Sequence, residues 1–248
     1  MTVPMNSVSI QRTARIIGAT YLITDATSIY AIFVRSTLVV SGDIARTATN
    51  IAAHAQLYRT GIVADVLTGA GVVILNLALY TLLSPVNRNL ARLAAMWRLI
   101  EVAVGSAIAV CSFIALSLLT DANYLHSFPP SELNALVSLF VGAQVSGYLI
   151  VLLFVGLGST TYMYLLLKSR YIPKALALLG LVGSALVGLV ALIRMWFPAL
   201  VTAAVPIARS LPLAARAFLA VIIVPILAFE IIIGLWLLIK GVRMPEHT

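Results

Sequence analysis

The sequence predicts an all-α, polytopic integral membrane bundle of six transmembrane helices, and three observations carry that prediction. The first is composition. Of 248 residues, 62% are hydrophobic and 10% are charged, against roughly 45–50% and 25% in a soluble domain. There is too little polar surface here to cover a globule in water. The second is continuity. Apolar runs of about 18 residues or more recur, each long enough to cross a bilayer. They lack the alternation that marks the ~10-residue strands of a membrane barrel. The third is the placing of charge. The net charge is +8, and its Lys and Arg residues sit mostly between the runs, where such residues set topology.

In chain order the spans are expected at about 16–34, 61–83, 93–119, 144–167, 175–197 and 217–239, forming one six-span domain over 1–248. The N-terminal "MTVPMNSVSIQRTARIIGAT" has no short apolar core with a small-residue cleavage site, so it reads as a tail leading into the first span. The first loop, "SGDIARTATNIAAHAQLYR", opens on Gly42 and Asp43, a helix-start signal, and predicts a short surface helix. Before the fourth span, apolar character begins at Leu133. One helix from there to Leu167 would be ~52 Å long against a ~30 Å hydrocarbon core. A second surface helix is therefore expected over "PPSELNALVSLF", with Ser131 as its N-cap and Gly142 as the break before the span proper. Pro198, Pro206 and Pro212 predict a broken connection after span five. Pro225 predicts a kink in span six.

Orientation follows the Lys/Arg asymmetry. Arg12, Arg15, Arg88, Arg92, Lys168, Arg170, Lys174, Lys240 and Arg243 lie in short segments on one side. Arg35, Arg46, Arg59, Arg209 and Arg216 are spread over longer loops on the other. Both termini are thus predicted to be cytoplasmic, and the surface helices to lie in the outer loops.

Several function classes drop out. No Lys/Arg-rich run with interleaved aromatics suggests nucleic-acid binding. Cys111 is a lone cysteine inside an apolar run, and His54, His126 and His247 are scattered, so no metal-ligand spacing exists. "GLGSTTYMY" contains Gly156 and Gly158 but lacks the third glycine and the strand of a nucleotide loop. Gly180, Gly183 and Gly188 read as close helix packing. No cofactor motif is present.

What remains is a set of charges inside the spans: Asp25, Asp65, Arg98, Glu101, Arg194 and Glu230. Each costs about 2.5–3.5 kcal/mol at mid-bilayer on insertion scales, so each must find a partner or a wet cavity. Asp25 follows Arg15 by ten residues, Glu101 follows Arg92 by nine, and Glu230 precedes Lys240 by ten. All three carboxylates then lie ~13–15 Å from the same interface, near the midplane. Asn76 falls at ~12 Å by the same rise, and Arg98 shares a helix face with Glu101 three residues on. These five residues form an expected midplane cluster. Asp65 and Arg194, each just inside the outer end of its span, form an expected outer ion pair. Three carboxylates with one arginine in low dielectric cannot all stay ionised. A shared proton suits a coupled carrier or an acid catalyst. Polar residues inside bundles also act as interhelical glue, worth about 0.6 kcal/mol each.

Four stretches resemble the bacterial membrane family called domain of unknown function 4386: "YRTGIVADVL" (58–67), "LYTLLSPVNRNLARLAAMWRLIE" (79–101), "KSRYIPKALALLG" (168–180) and "FEIIIGLWLLIKGV" (229–242). The "SPVNRNLA" turn and the "LWLLIKG" ending are the most specific parts. The resemblance implies a multi-pass protein of a bacterial inner membrane, and no activity. Asp65, Arg98, Glu101 and Glu230 fall inside the matched stretches; Asp25 does not.

The leading expectation is a small proton- or cation-coupled carrier of a small or lipophilic solute. The first alternative is an intramembrane acid–base enzyme on a lipidic, isoprenoid-like substrate, weakened by only 8% aromatics when cation-stabilising pockets favour aromatic faces. The second is a non-catalytic module whose polar cluster specifies packing. The lipid bilayer is the one firm partner; a small-molecule or lipid ligand and a homo-oligomer are left open.

Overall fold

Apolar runs with few breakers should form long helices, and they do. The computed structural model describes residues 7–40, 42–197 and 224–243. They contain helices and no strand. The helices are α1 (Ser7–Leu38), α2 (Ile44–Ala53), α3 (Ala55–Leu83), α4 (Arg88–Thr120), α5 (Ala122–Ser127), α6 (Pro130–Ser169), α7 (Lys174–Trp196) and α8 (Val224–Ile239). Five of them, α1, α3, α4, α6 and α7, are long and apolar enough to cross a membrane. The described part of α8 is shorter, 16 residues. The expected sixth span began at Ala217, outside the described residues, as do Pro198, Pro206 and Pro212. The kink expected at Pro225 falls at the edge of the described part of α8.

Local chemistry sets the ends. Asp43 caps α2 as expected, its Oδ1 accepting from the Arg46 N–H at 2.9 Å. Asn87 caps α4 through the Leu90 N–H at 3.0 Å, so the "SPVNRNLA" stretch is a tight turn followed by a capped helix. Asp121 caps α5, a six-residue helix that no sequence signal had marked.

The expected break at Gly142 does not occur. α6 runs unbroken for 40 residues, or ~60 Å. It begins at Pro130, so Ser131 lies inside the helix and is not its cap; proline suits the first helical position because its missing N–H is not needed there. A helix need not end where the hydrocarbon ends. One glycine costs only about 0.5–1 kcal/mol relative to alanine, too little to interrupt forty residues of continuous backbone bonding.

The chain forms two compact units. One comprises residues 1–23, 71–101 and 149–248, the other 24–70 and 102–148, and α1, α3, α4 and α6 contribute to both. The first unit has a core of Ile17, Leu75, Leu82, Tyr162, Leu166 and Leu237. Its helices meet at glycines. A Cβ on Gly18 of α1 would lie 2.5 Å from the Gly234 carbonyl oxygen of α8, and Gly156 of α6 abuts Gly188 of α7. Small residues that let backbones approach are what apolar helices use to associate in lipid, where no hydrophobic drive holds them together. The second unit is built around Val34, Ile51, Tyr58, Leu116 and Val137, with Gly61 against Val34 and Gly147 against Ile108. Large side chains such as Leu77, Met96 and Leu139 stay exposed on the helices, as a bilayer-facing surface requires.

Candidate functional site

Polar groups on apolar helices need partners, and each unit has its own set. In the first unit, Arg98 and Glu101 occupy one face of α4, and both are buried. Arg98 Nη1 lies 2.7 Å from Glu101 Oε2. Oε2 is buried and accepts no hydrogen bond. The stem of Arg98 reaches its place by crossing Gly158 of α6. A Cβ on Gly158 would stand 2.8 Å from Arg98 Cδ and 2.9 Å from Cγ. Glycine at 158 is thus a slot for an arginine stem.

Asn76 is buried in the same unit but takes other partners. Its Nδ2 donates to the Ala95 carbonyl at 3.1 Å, and its Oδ1 accepts from the Tyr162 hydroxyl at 2.7 Å. These bonds tie α3 to α4 and α6. Glu230, on α8, is half-buried. Asp25 is half-buried on α1, in the second unit.

The second unit holds a network that depth counting assigned differently. Asp65 pairs with Arg35 of α1, where Arg194 had been expected. Arg194 is exposed on the last turn of α7. The Tyr148 hydroxyl of α6 donates to Asp65 Oδ1 at 3.1 Å, and the Arg35 guanidinium stands 4.6 Å from the centre of the Tyr148 ring. Beside this group, Gln144 donates to the Tyr58 hydroxyl at 3.1 Å. Val34, Arg35, Tyr58, Gly61, Asp65 and Ser112 line a cavity of about 10 Å³, room for one water molecule at most. Further along the same two helices, Thr27 and Thr68 share a 2.7 Å hydrogen bond.

Arg35, Tyr148, Tyr58 and Gln144 were not singled out from sequence. Arg35 had a signal, because the apolar pattern of α1 continues one turn past Val34 and carries the arginine into the helix. The tyrosines and the glutamine carry no formal charge and sit among ordinary apolar neighbours, so nothing marked them. Among the described residues, no three His, Cys, Asp or Glu side chains converge as a metal would require.

The first unit thus offers a buried charge pair without an aligned hydrogen bond, and the second a satisfied ion pair with a phenol attached. No curated protein and no solved structure matches the chain. One family does, over residues 16–241, nearly the whole length: the chain belongs to the family described as domain of unknown function, DUF4386.

Proposed function

We propose that the protein is a small proton- or cation-coupled carrier of a small or lipophilic solute, in which the Glu101 carboxylate exchanges its neighbour Arg98 for a proton. One observation carries this reading. Glu101 Oε2 is buried, 2.7 Å from a guanidinium, and accepts no hydrogen bond. A pair serving only packing gains most when its hydrogen bonds are aligned; otherwise apolar residues of similar volume do as well or better. A carboxylate held by charge alone is the easier one to release. Arginine keeps its charge throughout, while a carboxyl can take up a proton. Asn76 and Glu230 complete the polar lining of that unit in this reading, and Asp25 is a second carboxylate to be tested. The architecture that goes with it is one domain of six spans in a bacterial inner membrane, with α8 extended through residue 217 and both termini cytoplasmic.

A second reading, a membrane module whose polar residues specify packing, draws support from the closed Asn76–Tyr162–Ala95 set and from a cavity sized for one water. The two separate in proteoliposomes. Solute-dependent proton uptake that disappears in Glu101→Gln, with the variant still folded, supports the carrier. Absence of proton movement from folded protein across a panel of organic cations and lipophilic solutes supports the module.

A further inference from the structure

Three backbone-anchored hydrogen bonds gather part of the first unit's basic surface. Gln11 of α1 grips Val242 from both sides: its Nε2 donates to the Val242 carbonyl at 2.7 Å, and its Oε1 accepts from the Val242 N–H at 3.2 Å. The next N–H, of Arg243, donates to the Tyr171 carbonyl at 2.9 Å. Gly241 makes the bend after α8 at φ +68°, a conformation that glycine adopts at little cost. Arg243 is thereby fixed beside the α6–α7 turn, which carries Arg170. Arg15 lies one turn along α1 from Gln11, on the same face. Lys240 Nζ stands 4.5 Å, and Arg243 Cζ 5.9 Å, from the centre of the Trp236 ring.

Exposed Lys240 and Arg243 thus meet at Trp236, with exposed Arg170 on the adjoining turn and exposed Arg15 on the packed helix α1. Nothing anionic offsets them on the described surface of this unit, whose described acids are the buried Glu101 and the half-buried Glu230. Arg170 holds its position at φ +57°, the one positive φ outside glycine among the described residues. An L-residue adopts that conformation at a cost glycine or asparagine would largely avoid. Like charges brought together and held by backbone bonds call for a counter-anion.

We propose that this surface binds the phosphate headgroup of an anionic phospholipid. Position selects a lipid over a free anion. The cations surround the point where apolar α8 ends. Leu235, Leu238 and Ile239 are exposed on that same helix, Ile239 at 71%, and offer a wall for acyl chains. Trp236, one turn before Lys240, is the aromatic that this end of α8 offers, and indoles favour the membrane–water interface. Basic pockets of this kind at helix ends bind anionic headgroups, each nearby Lys or Arg adding attraction.

The test counts bound lipid by mass spectrometry of the intact protein, released from detergent after exposure to equal phosphatidylglycerol and phosphatidylcholine. Wild type is expected to retain phosphatidylglycerol preferentially. Lys240→Gln/Arg243→Gln, which leaves the three hydrogen bonds intact, is expected to weaken that retention about tenfold or more. Arg170→Asn, which suits the positive φ, should weaken it severalfold and serves if the double variant does not fold. Arg46→Gln/Arg59→Gln, in the other unit, should change nothing. Equal retention of the two lipids, unchanged preference in the basic-site variants, or full competition by millimolar inorganic phosphate would each overturn the proposal.

Discussion

The Arg98–Glu101 pair makes a prediction with a definite asymmetry. Both side chains are nearly inaccessible, at 10% and 9% exposure, and their charges lie 2.7 Å apart. At an effective dielectric of about 20, that separation gives a gross attraction of about 6 kcal/mol. Desolvation of each ion costs several kcal/mol in return, so the pair nets little while intact. Breaking it is different. Glu101→Gln leaves a guanidinium that cannot lose its charge, and should cost about 3–5 kcal/mol. Arg98→Met leaves a carboxyl that can be neutralised by a proton, and should cost less. Arg98→Met/Glu101→Leu removes both charges at similar volume, and should lie between neutral and about 4 kcal/mol stabilised. At roughly 2–4 °C per kcal/mol for a chain of this size, Glu101→Gln should melt about 6–20 °C below wild type, with the double variant at or above it. Thermal unfolding of purified protein in one detergent reads all four species. Additive losses, with the double variant as damaged as the sum of the singles, would refute the pairing.

Further outcomes follow from the same contacts. Gly158→Ala should destabilise by about 1–3 kcal/mol, because its Cβ meets the Arg98 stem at 2.8 Å; in an Arg98→Ala background the loss should shrink. Asp65→Asn should lower the melting temperature by several degrees, whereas Arg194→Gln should stay within about 0.5 kcal/mol of wild type, since Asp65 pairs with Arg35. Gly18→Ala should impair folding, visible as lost monodisperse protein, because its Cβ would meet α8 backbone at 2.5 and 2.6 Å. Gly142→Ala, with nothing within 4 Å, should instead stabilise by about 0.5–1 kcal/mol.

Much of this was readable in the chain, and the parts that were not share a cause. Helices α1, α3, α4 and α7 follow from apolar runs because a long stretch without breakers has no competing local structure. The Arg98–Glu101 contact follows from spacing alone, since three residues return to one helix face. Depth counting was less informative. It placed Asn76 level with the carboxylates, but a neutral amide is satisfied by any nearby carbonyl and hydroxyl, here Ala95 and Tyr162. A span ending at Val34 excludes Arg35, whereas α1 continues a turn further to Leu38 and carries that arginine to Asp65. Bilayer thickness, the ground for a break at Gly142, limits the apolar stretch and not the helix, so α6 runs through it. Tyr148 and Tyr58 act through hydroxyls that hydropathy does not register, and only the packing of α6 against its neighbours brings them to Asp65 and Gln144.

The central claim is that Glu101 carries a proton as solute crosses the membrane. The most direct measurement compares wild type, Glu101→Gln and Arg98→Met/Glu101→Leu in proteoliposomes, recording solute-dependent internal pH change. The double variant is expected to be as stable as wild type, so its flux reports function apart from folding. Coupled proton movement is expected in wild type, and its loss in both variants. Coupled flux that persists in the folded double variant would contradict that claim.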